Sequence, residues 1–247
     1  MTMNLSNTKK VIAIHQPECL PWIGFFNKMM LADEYIFLDD VQYCKRNFQN
    51  RNQIVFNGSK LYLTLPVNCS LSSIIKDVKI SNSSYIQKHL KTLQRAYCKE
   101  DFYHSFFPLL EKVYTTNHQF LIDFNLSFIS LVRKYLQIDT PLQLSSKFQI
   151  NSTKTQRIID LIQSLSGRQY ITGEVSLNYL NPTEFTKESI SLFIHSTNPI
   201  YKNKRNENFT SHLSVIDLLM QYSSCEAKSI ILQSGTTIAY SSFIADR

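Results

Sequence analysis

His15, Gln16 and Pro17 stand directly after an apolar run, Val11 to Ile14. That run reads as a buried strand, so the imidazole is delivered at a strand end. A neutral imidazole there could accept a proton from an amine or hydroxyl nucleophile. The Gln16 amide or backbone donors could stabilise an oxyanion, and Pro17 and Pro21 would stiffen the loop that presents them. A second apolar run, Tyr35 to Leu38, delivers Asp39 and Asp40 in the same way. Adjacent side chains on an extended backbone point to opposite sides. One aspartate is then placed to orient His15 or bind substrate, and the other to cap the next element; simple turn chemistry is the competing reading. His15, Asp39 and Asp40 form the candidate catalytic set.

Lys45, Arg46 and Arg51 follow within a dozen residues. Arginine makes bidentate contacts with phosphate and carboxylate. Tyr43 could stack on a base or sugar, and Asn50 and Asn52 add hydrogen-bonding groups. With Gln16 and the single tryptophan, Trp22, they form the candidate substrate-binding wall. A surface loop with ordinary charges is the competing reading. Ser214, further on, joins the set as a weaker member; with Asp217 it also reads as a helix cap and first-turn acid.

Other residues carry less. Cys19 lies four residues from His15, but a lone cysteine is more often a small buried hydrophobe than a nucleophile. His89, His104, His118, His195 and His212 show no ligand spacing and read as structural or exposed. Two aspartates and one histidine are a common coincidence, so no metal is expected. Five widely spaced cysteines argue against a disulfide framework and, without a Cys-x-x-Cys pair, against zinc.

The elements that must hold these residues follow from pattern. Pro21 and Trp22 open a helix to about Leu31. Gln53 to Phe56, Asn57-Gly58 and Leu61 to Val67 read as a hairpin. Asp77 to Ile80 is a short strand. Helices are expected over Tyr85 to Tyr97, over Phe102 to Tyr114, kinked or split at Pro108, and over Asn117 to Leu136. Ser152 or Thr153 caps a helix through Leu165, with Gly167 at its C-cap. Tyr170 to Thr172 and Ile190 to Ile194 are strands, and Leu213 to Met220 is a helix.

The fold class is therefore α/β: a mixed sheet with an N-terminal strand-loop-helix-strand unit and a mainly helical middle region. One domain, 1–247, is expected, sheet-rich over about 10–80, helical over about 84–165 and mixed over about 168–247. With 43% hydrophobic and 12% aromatic residues, the chain can bury a substantial core and is not disordered. The net charge of +7 and pI of about 9.1 suit an anionic partner. The basic residues are spread out, apart from Lys45/Arg46/Arg51 and Lys202/Lys204/Arg205, and lack the density of a sequence-independent nucleic-acid binder. No apolar stretch is long enough for membrane insertion, and none reads as a signal peptide. A cytoplasmic location is the expectation.

His15 to Phe26, with Ala-Ile-His-Gln-Pro and Leu-Pro-Trp-Ile-Gly-Phe-Phe, and Asp39 to Asn52, with Asp-Asp-Val-Gln-Tyr and Arg-Asn-Phe-Gln-Asn-Arg-Asn, carry a family resemblance. The chain resembles the WbqC-like family of bacterial surface-polysaccharide gene clusters. Weaker matches follow at Leu65-Pro66-Val67, Lys154 to Ile159, Tyr170 to Gly173 with Tyr179-Leu180, and Leu213 to Leu219. Cys225 to Arg247 matches nothing in it. Departures lie at Glu18-Cys19 and after Gly173, where a second glycine of many relatives is absent. The resemblance implies a transferase of O-antigen or similar glycan synthesis, acting on a nucleotide-linked amino sugar. N-acyl or N-aminoacyl transfer, for example of glycine, is the implied reaction. The co-substrate would be a CoA or acyl carrier protein thioester, or an aminoacyl-tRNA, and no bound cofactor is expected. A nucleotidyl-transfer-like enzyme and a non-catalytic sugar- or carrier-binding protein are the alternatives.

Overall fold

The computed structural model describes residues 9–199, 201 and 212–245. The Lys202, Lys204 and Arg205 cluster lies outside the described residues. The chain opens with β1 (Val11–His15), α1 (Ile23–Met30) and β2 (Glu34–Phe37). A long excursion follows: β3 (Arg51–Phe56), β4 (Ser59–Thr64), β5 (Val67–Asn68), β6 (Lys79–Ile80), α2 (Ser84–Tyr97), α3 (Tyr103–Thr115) and α4 (Leu121–Leu136). β7 (Leu142–Leu144), α5 (Lys154–Ser164), β8 (Gln169–Gly173), α6 (Pro182–Lys187) and β9 (Ser191–Thr197) come next. α7 (Val215–Gln221), α8 (Ser224–Gln233), β10 (Gly235–Ala239) and α9 (Tyr240–Ala245) complete it.

β1 is apolar at every position except its last because both faces of the strand are covered. Val11 and Ala13 face one core, built with α1 to α4, α7 and α8; Ile12 and Ile14 face a second, built with α5 and α6. The main sheet has the order β10-β9-β8-β1-β2-β7. All its pairings are parallel except that of β10 on β9. Counting only these strands in chain order, the sheet reads 3-2-1-4-5-6 from the β7 edge, the order of doubly wound dinucleotide-binding sheets.

The hairpin forms where expected: Asn57 and Gly58 both take positive φ, +50° and +74°, as a two-residue turn between paired Phe56 and Ser59 requires. It stands apart from the main sheet. α3 is a single helix through Pro108, so the expected split is absent. α5 starts after Thr153, but neither expected cap works as one: Thr153 makes no side-chain cap bond, and Ser152 donates instead to Asp160. Sequence patterns did not single out β7, β10, α8 or α9.

Candidate functional site

In an open doubly wound sheet, ligands bind outside the carboxyl ends of the strands, where successive connections run to opposite sides. Here that point lies between β1 and β8. β1 leads through β2 to β7 on one side; β8, β9 and β10 fill the other. The register places Phe37 level with His15, and His195 level with Gly173. Ala13 pairs with Ile171, so His15 and Gly173 are level too. Phe37, His15, Gly173 and His195 thus form one row across four strands. At Gly173 the row has no side chain, and a Cβ added there would meet nothing within 4 Å.

His15 keeps 31% of its side chain exposed and packs edge-on against Phe25 of α1, centroids 5.3 Å apart. Its Nδ1 lies 3.0 Å from the Gln16 carbonyl oxygen. A carbonyl only accepts, so Nδ1 carries the proton and Nε2 the lone pair. Burial, then the nearby Lys28 charge, holds the imidazole well below its usual pKa, with His195 adding to the effect and the Gln16 bond opposing it. The ring is neutral at neutral pH.

Behind it lie groups that sequence reasoning missed. Glu18 Oε1 is 3.8 Å from His15 Nε2. Burial lifts Glu18 to about 7 against the pull of Lys28, and burial lowers Lys28 to about 7 against the pull of Glu18. His195, read from sequence as structural or exposed, is structural: it is buried, and its Nε2 donates to Asn27 Oδ1 at 2.7 Å. Burial pushes it down to about 3. One signal could have exposed Lys28: α1 reads Ile-Gly-Phe-Phe-Asn-Lys-Met-Met, apolar on all sides but for one polar pair. A helix apolar all round is interior, so its polar residues are interior as well.

Asp39 and Asp40 follow β2 as expected, but both serve the turn after β7. Asp39 accepts from the Ser146 amide at 2.9 Å and from the Ser145 and Ser146 hydroxyls. Asp40 shares that single Ser145 hydroxyl proton with Asp39 and pairs with Arg157 of α5 at 2.6 Å. Burial raises the Asp40 carboxyl, but the Ser145 and Arg157 bonds outweigh it and leave it below the usual value. Among the described residues neither aspartate hydrogen-bonds His15.

The guanidinium that meets an aspartate is therefore Arg157, not Arg46 or Arg51. Arg46 is exposed; Arg51 donates to the Arg46 carbonyl and covers the Tyr62 ring at 4.4 Å. The loop that carries them does reach the His15 loop. Gln49 Nε2 donates to Gln16 Oε1 at 2.6 Å, and the Cys19 amide donates to the Phe48 carbonyl at 2.8 Å. Asn125 of α4 clamps both loops by donating to the Pro17 and Gln49 carbonyls.

The remaining candidates divide. Trp22 is half-buried, with its ring 4.5 Å from that of His212. Tyr43, Asn50, Asn52 and Ser214, expected on a pocket wall, lie inside the packing instead. Tyr43 is buried, and its hydroxyl is pushed up to about 12 by that burial first. Asn50 donates to the Leu65 carbonyl and Asn52 to the Leu20 carbonyl, tying loops together. Ser214 accepts from the Ile216 amide as the cap of α7. Cys19 is fully buried in the core. Among the described residues no group of three His, Cys, Asp or Glu is placed to hold a metal ion, and no helix is long and apolar enough to cross a membrane.

The geometry is thus a neutral, half-open histidine at the switch point of a doubly wound sheet, backed by buried ionisable groups. The chain is 27% identical over 215 residues to the uncharacterized protein Rv1507c of Mycobacterium tuberculosis, a match covering 85% of this chain and 93% of that protein. No solved structure matches it. Residues 16–229 match the WbqC-like protein family, and they include the His15 loop from Gln16 onward, α1 and the Asp39–Asn52 stretch. The chain belongs to the WbqC-like protein family.

Proposed function

We propose that this protein is a transferase of surface-polysaccharide biosynthesis that moves an acyl or aminoacyl group to the amino group of a nucleotide-linked deoxyamino sugar. His15 is its general base. The observation that carries this reading is the fixed tautomer of a half-open ring at the switch point: Nδ1–H rests on the Gln16 carbonyl, which leaves Nε2, on the side of Glu18, as the atom that can accept a proton. An amine attacking an acyl carbonyl must shed a proton, and a neutral imidazole is a suitable acceptor. The donor is a CoA or carrier-protein thioester, or an aminoacyl-tRNA. The exposed Arg46 and the net charge of +7 suit the diphosphate or the anionic carrier.

The test offers the purified protein nucleotide-linked amino sugars with glycyl and other acyl thioesters and reads products by mass spectrometry. His15→Ala is expected to lower turnover by roughly 10²–10⁴-fold. Turnover equal to wild type in that variant removes the proposed base. The strand order favours one second reading, nucleotidyl transfer, because such sheets place nucleotides at the same crevice. ATP-dependent pyrophosphate exchange without amide product would select it.

A further inference from the structure

The His15 site continues inward into groups that the base mechanism leaves unused. Glu18 from the loop after β1, Lys28 from α1 and Tyr35 from β2 are buried, at 8%, 4% and 0% exposure. Glu18 Oε2 and Tyr35 Oη have no hydrogen-bond partner. Among the described residues no carboxylate reaches ion-pair distance of the Lys28 ammonium, which lies 6.0 Å from the Tyr35 ring centre. His195 from β9 and the thiol of Cys19 complete the surrounding titratable groups, with Tyr170 of β8 acting through Tyr35. Of these, His15 is the most open to the crevice.

Partial burial and the nearby Lys28 charge hold the His15 pKa low, so a proton that the ring accepts from an amine is readily passed on. The next acceptor is Glu18 Oε1, 3.8 Å from Nε2. We propose that Glu18 is the proton store of this site and that Lys28 is the positioning residue that sets how tightly the store holds its proton. The substrate in this scheme rests on the acyl-transfer reading; the store itself rests on the arrangement of His15, Glu18 and Lys28.

As the amine attacks the acyl carbonyl, the C–N bond forms and the amine proton passes to His15 Nε2. The proton on Nε2 passes on to Glu18 Oε1, the carboxylate oxygen nearest that nitrogen, and the ring is neutral again with Nδ1–H still on the Gln16 carbonyl. When the tetrahedral intermediate collapses, the bond to the leaving sulfur or oxygen breaks and that atom keeps the electron pair. The stored proton returns through His15 and ends on it. An amine and an ester or thioester become an amide and an alcohol or thiol, and the side chains finish as they began.

The deciding experiment is a carboxyl NMR titration of the full chain carrying ¹³Cδ-glutamate, in wild type, Glu18→Gln and Lys28→Met. One resonance is expected to titrate near 7, to be missing in Glu18→Gln and to move to higher pH in Lys28→Met. A Glu18 resonance titrating near 4.5, or one that Lys28→Met leaves unmoved, overturns the proposal. No substrate is needed, so the titration decides the store even if acyl transfer fails. With substrate, Glu18→Gln is expected to lower kcat roughly 100-fold with little change in KM, and Glu18→Asp to restore part of it. Wild-type kcat in Glu18→Gln beside an inactive His15→Ala overturns the store and keeps the base; wild-type kcat in His15→Ala overturns the base.

Discussion

His195 shows how burial turns a histidine into a pH-dependent stability term. Its pKa is about 3 in the native chain against 6.5 unfolded. Below 6.5 the unfolded state binds a proton that the native state refuses, so the stability this neutral histidine contributes is lost as pH falls. From pH 7 to pH 5 the loss is about 2 kcal/mol. His195→Gln is expected to reduce the drop in unfolding free energy over that interval by about this amount, measured by urea denaturation at both pH values. Arg157 carries stability through an ion pair instead. It spans from α5 to Asp40 and the Ile150 carbonyl. Arg157→Leu leaves the Asp40 carboxylate without its cation and is expected to cost about 1.5–3 kcal/mol. His15→Ala by contrast is expected to affect turnover more than unfolding.

At the scale of elements, α1 is the piece that joins the sheet to α8. Its Asn27 side chain donates to the Ile231 carbonyl of α8 and accepts from His195 of β9, so one amide fixes three elements. Gly235, the first residue of β10, lies so close that a Cβ there would stand 1.9 Å from Asn27 Oδ1. Gly235→Ala must displace that amide, and a destabilisation of about 1–3 kcal/mol is expected by thermal denaturation. Elements marked by local chemistry are legible in the sequence alone. The Asn57-Gly58 turn needs only its own backbone preferences, and β1 announces itself by an apolar run. β7 has three half-buried residues, and β10 is an edge strand of alternating exposure; neither carries a local signal. Their strand state comes from the partners they pair with.

For the whole molecule, the strand order reverses at β1, and Gly173 leaves open space in the row beside His15. Gly173 has φ −76°, so its value lies in the missing side chain and not in backbone freedom. Gly173→Leu is expected to keep stability within about 0.5 kcal/mol and to weaken substrate binding, read as a raised KM or as lost heat stabilisation by the nucleotide-linked sugar. Unchanged KM would move the ligand away from the switch point.

The amino-acid sequence by itself determined the strand ends that carry His15 and the two aspartates, because apolar runs and the polar residues ending them are local facts. It also determined the α/β class and the hairpin. Only the tertiary structure decided that Asp40 meets Arg157, that Asn50 and Asn52 tie loops together, and that Glu18, Lys28 and His195 gather behind His15. These residues lie up to 180 positions apart, from His15 to His195. Their ionisation depends on shared burial, which no spacing along a chain expresses.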